Sequence, residues 1–163
     1  MSRDMVDAYV ERLLEEFTGN ESVKKDDQGG YPFRFGNSGY TVRVVGTDER
    51  PAVRVWSVAV HDVDQTPELL GSLNEINQRL LHARVYWAEK AVVFEDAVAG
   101  LALNKGTLES SLTDVAEASN FFGPQLKEKF GGSLTFEDEP AADQPGAAAD
   151  PTAEPAAGDG LYL

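Results

Sequence analysis

The pattern of apolar and polar residues predicts eight elements along the chain, and the first is an amphipathic helix over residues 3–17. Apolar side chains recur there at three- and four-residue steps, which places them in one stripe of a helix. Glu11 and Glu15 lie off this stripe, and Gly19 supplies a stop signal. The stripe consists of Val6, Val10, Leu13, Leu14 and Phe17.

Alternation of apolar and polar residues predicts three consecutive strands at residues 31–35, 40–45 and 52–60. The Gly-Asn-Ser-Gly sequence at residues 36–39 is typical of a hairpin turn between the first two strands. Pro32 lacks a backbone N–H, so the first strand is expected to lie at an edge of the sheet or to begin at that point.

The second predicted helix has a clear start, because Thr66 can cap it and Pro67 suits the first helical position. It is expected to run to about His82. Two short strands are predicted after it, at residues 84–88 and 91–94, with a tight turn between them.

The last predicted helix begins near Thr107 and reaches Phe130, where a Gly-Gly pair ends it. Pro124 is expected to kink or split this helix, because proline removes one helical hydrogen bond. The predicted order is α-β-β-β-α-β-β-α. This order indicates an α+β fold in which three helices accompany an antiparallel five-stranded sheet.

The composition changes abruptly at residue 137. Residues 137–163 contain 8 Ala, 4 Pro, 3 Gly and 7 acidic residues, and no Lys or Arg. Such a segment cannot bury enough apolar surface to offset the entropy of ordering, so it is predicted to be a disordered acidic tail. Residues 1–136 are then a single domain, and removal of the tail is expected to leave its melting temperature nearly unchanged.

The charge balance bears on the class of partner. The chain has 14 Lys and Arg against 28 Asp and Glu, a net charge of −14, and the part before the tail carries −7. An acidic surface disfavours nucleic acid and other acidic partners. No apolar run approaches the roughly 18 residues of a membrane span, and the N-terminus lacks the apolar core of a signal peptide. We therefore expect a cytoplasmic protein with no nucleic acid and no membrane as partner.

The sequence offers little support for catalysis. No Cys is present, and no phosphate-binding loop, dinucleotide fingerprint or nucleophile elbow occurs. His61, Asp62 and Asp64 suggest a metal site, but the calcium-loop residues that would complete it are missing, so a structural role is favoured. The neighbouring carboxylates Glu95 and Asp96 are expected to lie on a solvated face. No catalytic residue, metal or cofactor is predicted.

An excess of apolar strand surface is more informative. The strand over residues 52–60 is apolar on both faces. Either the three helices cover both faces of the sheet, or one face stays available for an extended peptide or a second subunit. In the second case the candidate partner-binding residues are Trp56, Val58, Trp87 and Phe94.

Three short motifs resemble those of a known family. They are LNEIN at residues 73–77, ARVYW at residues 83–87, and the closing FGP and FGG sequences at residues 122–124 and 130–132. Together with the element order, they resemble the bacterial, and especially actinobacterial, YbjN-type proteins. That group is related to type III secretion chaperones of the CesT/SycE kind, and the resemblance covers residues 3–132.

The resemblance implies a non-enzymatic, chaperone-like protein that binds a protein or peptide client and often forms a homodimer. In the first motif Asn74, Glu75 and Asn77 either contribute to binding, or Asn77 bonds a nearby strand while Glu75 is solvated. An alternative function is that of a sensory-transduction regulator that acts through dimerisation or by docking its tail. A more distant alternative is an enzyme whose site the sequence does not reveal.

Overall fold

The computed structural model describes residues 1–137 and 139, and the backbone of residues 142–147. In this part of the chain three helices and six strands alternate, with a short 3₁₀ turn at Gly100–Ala102 after the fifth strand. The helices are α1 (Arg3–Thr18), α2 (Pro67–Asn77) and α3 (Lys105–Phe130). The strands are β1 (Tyr31–Gly36), β2 (Ser38–Gly46), β3 (Pro51–Val60), β4 (Arg84–Ala88), β5 (Ala91–Ala99) and β6 (Ala142–Ala147).

The six strands form one antiparallel sheet in the order β4-β5-β3-β2-β1-β6. The predicted α+β architecture is confirmed, and its three helices and five strands follow one another in the predicted order.

The helices begin where the sequence signals predict. The Thr66 hydroxyl accepts a hydrogen bond from the Leu69 N–H, and Pro67 occupies the first helical position of α2. Asn104 caps α3 reciprocally with Thr107. None of the helices in the described residues is both long and apolar enough to cross a membrane.

The hairpin between β1 and β2 is as tight as its sequence predicts. Phe35 pairs with Ser38, so the loop consists of two residues, and Gly36 adopts a left-handed φ of 61°. The side chain of Asn120 in α3 bonds the carbonyl of Phe35, which fixes the turn against the helix.

Two boundaries and the continuity of one helix differ from the prediction. Helix α2 ends at Asn77, five residues before His82, and β5 continues to Ala99 instead of ending at residue 94. Helix α3 is one continuous element through Pro124. The helix packs closely on β3 at this point, since a β-carbon at Gly123 would lie 3.4 Å from the carbonyl oxygen of Ala59.

One segment of the predicted tail forms a strand. The backbone of β6 pairs with β1, with Ala147 beside Phe33 and Ala142 beside Gly36. Backbone pairing does not depend on apolar side chains, so the composition of this segment did not reveal it. Among the five predicted strands, β1 lies at one edge of the sheet, as Pro32 predicts. The additional strand β6 covers that edge. The prediction for residues 148–163 lies outside the described residues.

The described helices all pack on one face of the sheet. The larger buried cluster contains every buried apolar helix residue together with Val53, Val55 and Ala59 of β3. The smaller cluster has no helix residue and consists of Trp56, Val58, Ala91 and Val93, with Tyr86 against it. We call the face of this smaller cluster the distal face. Of the two arrangements left open by the sequence, the helices adopt the one-sided arrangement.

Candidate functional site

The distal face is organised in rows that run across the strands. One row contains Thr41, Trp56, Glu95 and Arg84, which are aligned neighbours on β2, β3, β5 and β4. In the adjacent row Arg43 of β2 lies directly opposite Arg54 of β3. Because side chains alternate along a strand, Arg54 and Trp56 share this face.

Trp56 lies beneath two of these arginines. Its side chain is only 2 % exposed, and the guanidinium groups of Arg43 and Arg54 lie 5.4 Å and 4.8 Å from the ring centroid. The indole N–H of Trp56 is buried and has no hydrogen-bond partner among the residues that the structure describes. Leaving such a donor unsatisfied costs about 1–3 kcal/mol, and a bound acceptor removes that cost.

Glu95 connects the arginines of β3 and β4. Its buried carboxylate accepts hydrogen bonds from Arg54 at 2.6 Å, from Tyr86 at 2.6 Å and from Arg84 at 2.5 Å. Burial raises the pKa of Glu95, but these three hydrogen bonds outweigh burial and hold its pKa below the ordinary value. Burial, and then the bond to Glu95, raises the pKa of Tyr86. The expectation that Glu95 is solvated is wrong, because strand alternation turns it between Arg54 and Arg84.

The segment after α3 turns onto the same face. The Thr135 hydroxyl donates to the carbonyl of Val58 at 3.3 Å, and the buried ring of Phe136 lies 4.3 Å from the guanidinium of Arg34. Arg34 also forms an ion pair with Glu139. The chain then continues to β6 at the outer edge of β1.

The distal face is locally basic although the chain is acidic. Four of the eight arginines project from it, against one carboxylate at the distal positions of β1–β5. Each of the four lies between two apolar or small residues in the sequence, as FRF, VRV, VRV and ARV. They are Arg34, Arg43, Arg54 and Arg84. The acidic net charge therefore does not disfavour an acidic partner at this face.

The structure divides the four predicted partner-binding residues between the two faces. Trp56 and Val58 lie together on the distal face, and both are buried. Phe94 is fully buried on the helix-facing side, where its ring stacks on Phe122 with centroids 6.0 Å apart. Trp87 lies on that side as well, and its indole N–H donates to the carbonyl of Val63 at 2.8 Å. The sequence prediction missed the arginines, Tyr86 and Glu95.

A comparison with models of protein families identifies the family of this chain. The family model "T3SS (YopN, CesT) and YbjN peptide-binding chaperone 1", or TY-Chap1, matches residues 4–138. The chain belongs to this family. The resemblance to YbjN-type proteins and type III secretion chaperones is thereby confirmed.

Two solved structures share the fold of this TY-Chap1 protein. The first, titled "Crystal Structure of the ExsC-ExsE Complex", is 22% identical with a TM-score of 0.59, and the match covers 74% of this chain and 95% of that chain. The second, "Structure of the HopA1-SchA Chaperone-Effector Complex", is 14% identical with a TM-score of 0.58 and covers 74% and 97%. A search of curated proteins found no match.

Asn77 of the LNEIN motif has a structural role in this TY-Chap1 protein. Its side-chain amide accepts from the Val85 N–H at 2.8 Å and donates to the Val85 carbonyl at 2.9 Å. It thus takes the place of a strand partner at the outer edge of β4. Asn74 and Glu75 are exposed on α2.

The residues weighed as a metal site serve the loop after β3. The His61 ring bonds the Thr135 hydroxyl at 2.9 Å, Asp62 adopts a left-handed φ of 55°, and Asp64 lies 3.8 Å from Lys90. Burial lowers the pKa of His61, and the nearby Asp62 partly opposes this effect. Within the described part of the chain, no three His, Cys, Asp or Glu residues are grouped to hold a metal ion.

A second apolar feature lies on the helical side. Leu81 is 92% exposed and Phe121 is 59% exposed, and both line a groove between the end of α2 and α3. This groove differs from the distal face, where an indole donor is buried without an acceptor from any described residue.

Proposed function

We propose that this protein is a non-enzymatic, chaperone-like module that holds an extended segment of a client protein against its distal face. The observation that carries the proposal is the Trp56 indole N–H, which is buried beneath Arg43 and Arg54 and has no acceptor in the described part of the chain. A backbone carbonyl or a carboxylate of a client is the acceptor that this donor lacks.

The arrangement of the arginines supports a client with acidic side chains. Arg43 and Arg54 lie directly opposite each other on neighbouring strands. Two guanidinium groups in that arrangement favour a carboxylate placed between them, and each presents a planar set of donors to it. Tyr86, which is partly exposed beside the buried Val58 and Val93, supplies apolar area for the other side chains of the client.

Membership of a peptide-binding chaperone family supports the proposal, and the proposal includes a cytoplasmic location and a homodimer. The titles of the two structural relatives name complexes, and one of them names a chaperone and its effector. In a chaperone of this type apolar contact drives binding of the client, while the arginines select its charge.

The test uses reduced, carboxymethylated α-lactalbumin as a permanently unfolded, acidic probe chain. Its binding to the full-length protein is followed by fluorescence anisotropy of a label on the probe. We expect Arg43→Gln to weaken binding about tenfold, because it removes one charge-assisted contact. We expect Trp56→Phe to weaken it several-fold, because it keeps an aromatic ring but removes the donor.

Arg50→Gln is the matched control, because Arg50 undergoes the same chemical change in the exposed turn between β2 and β3. It is expected to bind the probe as the wild type does. Equal losses for Arg50→Gln and Arg43→Gln would reduce the effect to net charge and refute the proposed site. Wild-type binding by both distal-face variants would refute it as well.

A further inference from the structure

The C-terminal part of the chain follows the distal face for as far as the structure describes it. Thr135 contacts the carbonyl of Val58, Phe136 packs against Arg34, and Glu139 pairs with Arg34. Strand β6 then covers the edge of β1. The segment that leaves the domain is thus already bound at one end of this face and at its adjacent edge.

The direction of β6 determines where the described part of the chain ends relative to the row that contains Trp56. Because β6 is antiparallel to β1, its last residue, Ala147, lies beside Phe33. The neighbour of Phe33, Pro32, is aligned with Thr41 and, through it, with Trp56. Three strand spacings separate β6 from β3, a distance of about 14 Å. The 16 residues of the segment 148–163 can span up to about 50 Å, so this segment reaches the whole face.

The chemistry of residues 148–163 complements the distal face. The segment contains Asp150, Glu154 and Asp159, no Lys or Arg, and the apolar sequence Leu-Tyr-Leu at residues 161–163. The distal face carries four arginines against Glu95 and Glu139, and it contains a buried apolar cluster around Trp56. Both the charges and the apolar groups of the segment therefore have counterparts on the face.

We propose that residues 148–163 bind the distal face of their own chain and that a client must displace them. The regulatory half of this inference rests on the proposed function, whereas the binding of the segment to its own domain does not. Because the segment is tethered, its effective concentration at the face is on the order of millimolar. Even a weak contact then competes with a client.

The first experiment follows the indole N–H signals of the two tryptophans by NMR in the full-length chain. Trp56→Phe and Trp87→Phe variants assign the two signals. Neutralising the segment with Asp150→Asn, Glu154→Gln and Asp159→Asn is expected to shift the Trp56 signal. The Trp87 signal is expected to stay in place, because its donor bonds Val63 on the other face of the sheet.

A synthetic peptide with the sequence of residues 148–163 provides the converse test. Added to the neutralised chain, it is expected to return the Trp56 signal towards its wild-type position. Arg43→Gln in the neutralised chain is expected to weaken binding of the peptide about tenfold. The matched control neutralises three exposed helical acids, Glu68, Glu75 and Glu128, and is expected to leave the Trp56 signal unchanged.

An unchanged Trp56 signal in the neutralised chain, or an equal shift in the control variant, overturns the inference. A shift that depends on protein concentration over a tenfold range places the segment on a second copy and also overturns it. On the same samples, the neutralised chain is expected to bind the carboxymethylated α-lactalbumin probe about tenfold more tightly than the wild type. Failure of the probe to bind either chain refutes the proposed function, while the NMR result still decides the position of the segment.

Discussion

Replacing Glu95 by Gln tests whether the buried ionic network organises the distal face. The carboxylate accepts from Arg54, Tyr86 and Arg84, and its side chain is 1 % exposed. Glutamine has one acceptor oxygen in place of two, and it turns an NH₂ group towards groups that are themselves donors. The variant therefore removes the negative charge that Glu95 places beside Arg54, whose side chain is 4 % exposed.

The expected loss follows from which partners are buried. Arg84 is 57 % exposed, so its bond to Glu95 contributes little to stability. Removal of one partner from a buried pair costs about 3–5 kcal/mol. Because glutamine keeps one acceptor, we expect a loss near the lower end, about 3 kcal/mol in the free energy of unfolding. Urea unfolding followed by circular dichroism measures this loss, and Glu75→Gln, an exposed position on α2, is the matched control.

The dependence of this loss on pH provides an independent check. The pKa of Glu95 is lower in the folded protein than in the unfolded chain. Its stabilising contribution is therefore fully present above the unfolded pKa of about 4.3, and it is lost as the pH falls through the folded pKa. The difference between wild type and Glu95→Gln is expected to be constant near neutral pH and to shrink below about pH 4. A loss below about 1 kcal/mol, or a difference that grows in acid, would refute the reasoning.

Three further predictions concern residues away from the distal face. Phe94→Ala is expected to cost about 3–5 kcal/mol in urea unfolding, because the ring is fully buried against Phe122; a loss near 1 kcal/mol contradicts this. Asn77→Ala is expected to cost about 1–3 kcal/mol and to speed amide exchange at Val85, because both backbone groups of Val85 lose their partner. The lowered pKa of His61 predicts that stability falls as the pH drops below about 6.5, and that His61→Asn removes this dependence in urea midpoints at pH 7.5 and pH 5.5.

Local signals account for the elements that the sequence predicts well. The stripe from Val6 to Leu14 and the cap at Thr66 act within one or two helical turns, and the structure has both. The end of α2 depends on a longer-range contact, because Asn77 bonds Val85 of the next strand. Strand β6 depends on the free edge of β1, which is a property of the assembled sheet. Local sequence patterns do not reveal either of these contacts, because each joins two separate elements.

The same distinction explains why only half of the predicted binding residues share the candidate site. The sequence shows that β3 is apolar on both faces, but it does not show which face the helices cover. A prediction from side-chain type alone therefore groups Trp56 with Phe94. Alternation of side chains along each strand separates Trp56 from Phe94 as soon as one position on each strand is assigned to the core. Val55 and Phe94 belong to the helix-facing cluster, so Trp56 and Glu95, their neighbours in sequence, belong to the other face.

Net charge was misleading for a related reason. The chain carries −14, and that sum includes the acids of the tail and of the exposed helix surfaces along with the sheet. Arginine between apolar neighbours in a strand has a defined direction, since the neighbours take the core face and the guanidinium must take the opposite one. The same pattern recurs at Arg34, Arg43, Arg54 and Arg84 on four strands of one sheet, so the four charges converge on one face. If a client is held on that face as proposed, we expect the local arrangement of charge to select it more strongly than the total charge does.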